Sequence, residues 1–419
     1  MRILMVNTSE LTGGAAIAAN RLMNALNAEG HEARMLVRDR NTDSTLVSTI
    51  PNGLKQKCDF LLERLGIFVE NGCRKHRLFE VDTATRGTDI TRLEAFREAD
   101  IIHLHWINQG MLSLGGIEKI LTSGKPIVWT MHDMWPFTGI CHHSRECTAW
   151  KEQCGNCPIL RKGSVNDLSH RRFLDKVQTY AKGKITFIGC SDWLTDLAKQ
   201  APLFRGHRIE SIPNAIDTNY YQPLSKTEAR KALLLPNDKQ ILLFVAQKAT
   251  NPNKGIQYLM AALEQICEID TSSKEKLHLV IVGIEATTLK KLFPIPVTAY
   301  EYISDTETMQ QLYNAATLLM MPTLQDNLPN TIVEAMACGL PCVGFNVGGL
   351  PQLITHHQTG YLAQYKDAAD FAEGIKYCLK EGMAEKMAIS SREKALANFS
   401  QPIVAQRHAA LYESLLPHD

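Results

Sequence analysis

The chain predicts two doubly wound α/β domains, and three observations carry the prediction. Short apolar runs that read as buried parallel strands alternate with helical patterns. The alternation occurs twice, on either side of a turn-rich segment at Ser211-Ile212-Pro213-Asn214-Ala215-Ile216-Asp217. A chain of 419 residues, 45% hydrophobic, can bury two cores of about 200 residues each. The strand candidates are Ile3–Asn7, Ala33–Val37, Ile101–His105, Ile127–Met131 and Ile185–Cys190 in the first half. Ile241–Ala246, Leu277–Gly283 and Leu318–Pro322 follow in the second.

Taken in order, the first strand runs into Ser9-Glu10-Leu11-Thr12-Gly13-Gly14 and a helix over Ala15–Glu29, with Ile17, Leu22 and Leu26 on one side and Gly30 as its stop. The Gly13-Gly14 turn either admits a ligand phosphate close to the backbone or simply packs strand against helix; the G-x-G-x-x-G spacing of a dinucleotide site is missing. Between Leu54 and Phe79, Leu54, Cys58, Leu61, Leu62 and Leu65 recur at helical spacing among Lys55, Lys57, Arg64, Arg74, Lys75 and Arg77. That pattern reads first as a core-facing helix with a charged outer side, and second as a basic amphipathic segment for an anionic membrane.

Two strands end in histidine. Ligands of open α/β sheets gather at the carboxyl ends of strands, where His105 and His132 fall. His103 and His105 share a strand face, which suits packing or a metal pair; His132, beside Asp133, is the better functional candidate. Cys141, Cys147, Cys154 and Cys157 then form C-x5-C-x6-C-x2-C. Four thiols in so short a stretch leave three outcomes open: a structural zinc clip, buried reduced thiols, or disulfides.

The second domain offers Phe244-Val245-Ala246-Gln247 at a strand end and Asn251-Pro252-Asn253-Lys254-Gly255 before the next helix, where Lys254 could neutralise a diphosphate. The most informative stretch runs from Asp326 to Gly339. Pro329 disfavours helix at Leu328, Asn330 or Thr331 can cap a short helix from Val333 to Cys338, and Gly339 supplies the left-handed stop. One carboxylate precedes a helix N-terminus able to bind an anion and a second, Glu334, lies inside it. A final helix is expected over Ile403 to Leu416, with Ser400 as its cap.

Composition removes several classes. No stretch of about 18 apolar residues exists, so no membrane span is expected. The opening residues read as a strand rather than a signal peptide, and eleven scattered cysteines suit a reducing compartment, so a cytoplasmic protein is expected. Lys and Arg outnumber Asp and Glu 25 to 20 over residues 1–185 and trail them 20 to 24 beyond, for a formal net charge of +1. Basic pairs at Arg161-Lys162 and Arg171-Arg172 lack the interleaved aromatics of a nucleic-acid surface, so none is expected to bind.

Together these motifs resemble the retaining glycosyltransferases of family 4. The matching residues are Gly13-Gly14, the 212–217 segment, Lys254-Gly255, Tyr302-Ile303-Ser304-Asp305 and the E-x7-E element, here Asp326 to Glu334, with Gly348-Gly349. The resemblance implies a GT-B architecture: two facing Rossmann-like domains with parallel sheets and an interdomain cleft. Residues 1–206 would form the acceptor side and 207–398 the nucleotide-sugar donor domain, with residues 399–419 packing back on the first.

By the same resemblance Glu334 would hold the donor ribose and Asp326 the transferred sugar. Asn327, Leu328, Pro329 and Asn330 would bind sugar and diphosphate through the backbone. Lys254 would neutralise the diphosphate, Gly13 and Gly14 would lie near it, His132 would contact the sugar, and main chain near Tyr302 would read the base. Where the family commonly has Arg, this chain has Gln247, with Lys248 as a substitute, and Asp326 is one methylene shorter than the usual Glu. The stretch from Trp129 to Cys141 with its later cysteines resembles transferases of exopolysaccharide assembly, including those of the colanic-acid type.

The implied activity is transfer from a UDP- or GDP-sugar to a saccharide, or a lipid-linked saccharide, in exopolysaccharide, capsule or O-antigen biosynthesis. It would occur in the cytoplasm, with peripheral contact at the inner face of the membrane. With no D-x-D in the chain, no metal is expected at the diphosphate and no cofactor is required for catalysis. A nucleotide-sugar epimerase of the same fold and a non-catalytic sugar-nucleotide or polysaccharide binder are the alternative readings.

Overall fold

The computed structural model describes residues 1–51, 53–75 and 77–417. The chain divides into two compact units, one of Met1–Ala215 with the segment from Pro402 onward, the other of Ile216–Gln401.

The first unit is built on seven strands, β1 (Arg2–Ser9), β2 (Glu32–Asp39), β3 (Val47–Thr49), β4 (Ile101–Leu104), β5 (Ile127–Met131), β6 (Thr186–Gly189) and β7 (Arg208–Ser211). Their order is β3-β2-β1-β4-β5-β6-β7, every neighbouring pair parallel. Alternate strand residues bury on opposite faces: Leu4, Val6, Ile102, Leu104 and Trp129 join one core, and Ile3, Met5, Ile101, Val128 and Ile188 the other. A strand covered on both sides must be apolar at consecutive positions, which is why these runs were readable.

The edge strands β3 and β7 escape that rule. β7, Arg-Ile-Glu-Ser, is half-buried and polar. Its pairing with β6 carries the first unit past residue 206 to Ala215.

The second unit has six strands, β8 (Gln240–Lys248), β9 (Leu277–Ile284), β10 (Val297–Tyr300), β11 (Leu318–Met321), β12 (Cys342–Phe345) and β13 (Gly360–Ala363). They are ordered β10-β9-β8-β11-β12-β13 and again all parallel. Each sheet changes direction of progression at its central strand pair, β1 and β4 in one, β8 and β11 in the other, the topological feature beside which open α/β sheets bind ligands.

The last helix spans Gln401–Glu413 and buries Val404, Ala405, Leu411 and Tyr412 in the first unit's core. Ser400 does not cap it; its hydroxyl donates to the Leu396 carbonyl at 2.8 Å.

The helix Gly53–Glu70 reverses the expected orientation. It buries Gln56, Asp59, Glu63 and Arg64, while Leu54, Leu61, Leu62, Leu65 and Val69 are exposed. The polar residues face inward because an irregular stretch from Leu78 to Ala84 offers them backbone partners. Glu63 accepts from the Thr83 and Ala84 N–H groups at 2.9 and 2.6 Å, and Arg64 donates to the Leu78 and Val81 carbonyls and pairs with Asp82. Among the described residues no helix is long and apolar enough to cross a membrane.

Candidate active site

In the second unit the chemistry gathers at the ends of β8 and β11. Beyond β8, Asn251 caps a single 3-10 turn, Pro252–Lys254, by accepting from the Asn253 N–H at 3.0 Å. Gly255 follows at φ +71°, where a Cβ would collide with the Pro322 carbonyl, so the chain turns tightly against β11. This delivers Lys254 to the loop after β11, where its Nζ meets Asp326 Oδ2 at 2.6 Å. The other Asp326 oxygen accepts from the Asn327 N–H at 3.1 Å.

Asn327, Leu328 and Pro329 are buried, and the helix that follows spans Asn330–Ala337, three residues earlier than its sequence suggests. Pro329 occupies the cap position and brings no side-chain acceptor. Glu334, half-buried inside that helix, accepts the Tyr313 hydroxyl at 2.6 Å. Gly348, at φ +59°, lets the next loop cross the Asp326 backbone, and the Gly349 N–H donates to the Asp326 carbonyl at 3.2 Å. Gln247 is exposed, Lys248 is paired with Glu285 at 2.7 Å, and Tyr302 is 58% exposed. Gly255 and the Gly348-Gly349 pair thus bring Lys254, Asp326 and Asn327 together, and Tyr313 fixes Glu334.

In the first unit Gly13, at φ +92°, opens the helix Gly14–Ala28, with Gly13 and Gly14 both exposed. His132 follows β5, and its Nε2 lies 3.1 Å from His105 Nδ1, the rings stacked with centroids 5.4 Å apart. Burial lowers the His132 pKa to about 4, more than the neighbouring Asp133 restores, so its imidazole is neutral near pH 7.

The candidate metal pair of His103 and His105 does not form. His103 Nε2 lies 2.8 Å from the Thr130 hydroxyl and its Nδ1 2.7 Å from that of Tyr412. Both ring nitrogens are therefore engaged. A small cavity lined by His105, Thr130, His132, Asn214 and His408 adjoins them, and His105 Nε2 and His408 Nε2 are buried with no hydrogen-bond partner among the described residues.

Asp133 belongs to a network that holds the loop after β5. It accepts from Trp106 Nε1 at 2.9 Å and the Trp135 N–H at 2.8 Å. The His142 ring bridges Asp133 and Asp82 at 2.7 and 2.6 Å. Burial opposes ionisation of Asp133, but His142 outweighs it and holds the carboxyl at about 2. Cys141, Cys147, Cys154 and Cys157, all reduced, converge on one cavity. Burial raises the Cys141, Cys154 and Cys157 thiols, Cys154 to about 12, so none is an ionised nucleophile.

The sequence assigned no role to Tyr313, His142, Asp82, His408 or Tyr412. Tyr313 meets Glu334 across 21 positions, His142 meets Asp82 across 60 and Tyr412 meets His103 across 309, separations that no local pattern spans. The only signal was a polar pair, His408 and Tyr412, four residues apart on an otherwise apolar helix side.

Two units with parallel doubly wound sheets, the second carrying a lysine and two carboxylates around a helix N-terminus, define a protein of the GT-B architecture. Residues 12–220 match the family model described as Glycosyltransferase Family 4, and residues 239–381 the model described as Glycosyl transferases group 1. The chain is a glycosyltransferase carrying these two family domains.

Among its relatives, N-acetyl-alpha-D-glucosaminyl L-malate synthase of Bacillus anthracis is 24% identical over 50% of this chain and 55% of its own length. An uncharacterized glycosyltransferase of Methanocaldococcus jannaschii is 25% identical over 87% of this chain and 95% of its own. Of solved structures, sucrose-phosphate synthase from Thermosynechococcus elongatus superposes with a TM-score of 0.68 at 20% identity, covering 99% of this chain and 98% of that one. HepE of Anabaena, in complex with UDP and glucose, superposes with a TM-score of 0.64 at 18% identity, covering 99% and 100%.

Proposed function

We propose that this glycosyltransferase retains anomeric configuration, takes its sugar from a UDP-sugar, and extends a lipid-linked saccharide in exopolysaccharide, capsule or O-antigen assembly. The Lys254–Asp326 pair carries the donor half of the reading. Both side chains are partly exposed, at 30% and 20%, so the pair is weak and exchangeable. A diphosphate can take Lys254 from Asp326, leaving Asp326 to accept sugar hydroxyls. As the sugar–phosphate bond breaks, negative charge grows on the leaving diphosphate, where Lys254 and the N-terminus of Asn330–Ala337 would stabilise it without a bridging metal. Glu334 would take the ribose. The UDP complexes of HepE support uridine as the base to test first.

For the acceptor half, the outward leucines of Gly53–Glu70 stand among exposed Lys55, Lys57, Arg74 and Lys75. That chemistry suits the anionic inner surface of the cytoplasmic membrane, where lipid-linked saccharides reside.

The donor test is thermal stability with UDP, GDP and their sugar conjugates, in EDTA and in Mg²⁺. At 100 times Kd a ligand adds about 2.7 kcal/mol. A shift with UDP-sugars, equal in both buffers, is expected; no shift with any nucleotide would remove the donor assignment. Lys254→Ala should lower kcat/KM by about 10²-fold or more. Donor conversion without any acceptor would replace transfer by epimerisation. Cosedimentation with vesicles containing anionic lipid is expected and should be lost in Leu61→Asp/Leu65→Asp.

A further inference from the structure

The loop beside Asp133 contains a cluster that the transfer chemistry does not use. Cys141, Cys147, Cys154 and Cys157 line a single cavity with Trp150 and Ser169, large enough to admit the centre of a water molecule. One of the sulfurs is already supplied with a donor. The Gly139 N–H points at Cys154 Sγ at 3.3 Å, while the Thr138 hydroxyl and the Leu160 N–H hold the Cys141 and Cys157 carbonyls at 2.6 and 3.2 Å and so fix the backbone that carries those two thiols. Donors aimed at sulfur favour thiolate over thiol.

The backbone is shaped for this convergence. Cys154, Gly155 and Asn156 all have positive φ, at 51°, 125° and 47°, folding the C-x2-C stretch into a tight knuckle. At Gly139 a Cβ would collide with the Ser169 carbonyl, so only glycine lets that N–H approach Cys154.

A separate observation concerns charge. Lys176 is fully buried, its Nζ donating to the Trp135 and Thr138 carbonyls at 2.5 and 2.9 Å and lying 3.4 Å from the Trp135 ring centroid. Among the described residues no carboxylate pairs with it within salt-bridge distance. Burial lowers the Lys176 pKa to about 7, and only a compensating charge nearby keeps a buried ammonium fully ionised. Thr138, whose carbonyl accepts from it, donates its own hydroxyl to the Cys141 carbonyl, and it adjoins Gly139, whose N–H points at Cys154 Sγ.

We propose that Cys141, Cys147, Cys154 and Cys157 bind one structural Zn²⁺ as a four-thiolate site, and that its net negative charge is the counterion of Lys176. Binding releases four protons, one from each thiol, and involves no change of oxidation state. Among the described residues no three such side chains already stand at ligand distances. A zinc–sulfur bond is about 2.3 Å, so the thiols must draw inward to reach it. The ion would tie residues 138–157 into one clip and hold His142 against Asp133 and Asp82.

The test is metal analysis of the full chain purified under reducing conditions with zinc supplied. About one zinc per chain is expected, with four thiols becoming reactive only after chelation. Replacement by Co²⁺ should give thiolate-to-cobalt charge-transfer absorption, bleached by added zinc. Cys157→Ser should lose the metal; because that variant can misfold, the cobalt titration of the unmodified chain decides independently. No retained zinc or cobalt after reconstitution overturns the site, as does an intact mass about 4 Da low from two disulfides.

Discussion

Glu334 is held in part by the Tyr313 hydroxyl. Tyr313 is buried, and burial first, then the adjoining carboxylate, raises its pKa far above the ordinary phenol, so it donates at every working pH. Tyr313→Phe keeps the ring and removes that hydrogen bond from the carboxylate. The expected result is a donor KM several-fold higher with kcat little changed, and a smaller penalty for a donor lacking ribose hydroxyls. An unchanged penalty for the deoxy donor would separate Tyr313 from ribose binding. His132 obeys a similar logic through burial. Held at about 4, it does not titrate across the working range, so kcat/KM should show no acid limb from this residue above about pH 5. An inflection near pH 6.5 that disappears in His132→Asn would show it to be protonated in the free enzyme.

At the scale of elements, what could be read from sequence was what is locally determined. β1, β4, β8 and β9 are doubly covered and declare themselves as apolar runs. β12 carries Cys and Gly in a four-residue run, and β10 and β13 are edges, so their pairing comes from the sheet and not from their own composition. The helix Gly53–Glu70 misleads for the converse reason. Its leucines carry the amphipathic signal, yet the polar face is the one the fold needs, because Glu63 and Arg64 satisfy the backbone of 78–84. The loop and helix from Asp326 to Glu334 were legible because they are continuous in sequence, whereas the Tyr313–Glu334 and His103–Tyr412 contacts depend on topology. The tight Lys254-Gly255 turn gives an element-level prediction. Gly255→Ala adds a Cβ at φ +71° against the Pro322 carbonyl, so the turn must open. A loss of about 2 kcal/mol or more of stability is expected, with Lys254 displaced from Asp326. Undiminished stability by urea titration would mean the turn relaxes without cost.

On the scale of the whole molecule, the buried histidines make the first unit acid-sensitive in a pH window where few other groups act. His103, His105 and His408 are at most 3% exposed. Burial, reinforced by neighbouring histidines for the first two, holds His103 and His105 well below their ordinary value, and burial brings His408 to about 4. In the unfolded chain each regains a pKa near 6.5, so between about 6.5 and 4 the unfolded state binds more protons and unfolding is favoured as pH falls. Each histidine contributes a slope approaching about 1.4 kcal/mol per pH unit. Carboxylates with lowered values, such as Asp133 at about 2, act only further into acid. All five tryptophans, Trp106, Trp129, Trp135, Trp150 and Trp193, lie in the first unit, so their emission reports on that unit alone. The urea midpoint of tryptophan emission should therefore fall steeply between about pH 6.5 and 5, and less steeply in His408→Leu, which cannot take up a proton in either state. A midpoint flat across that interval in the unmodified chain would mean that these imidazoles are protonated in the folded state, through water or backbone movement in the cavity beside His132.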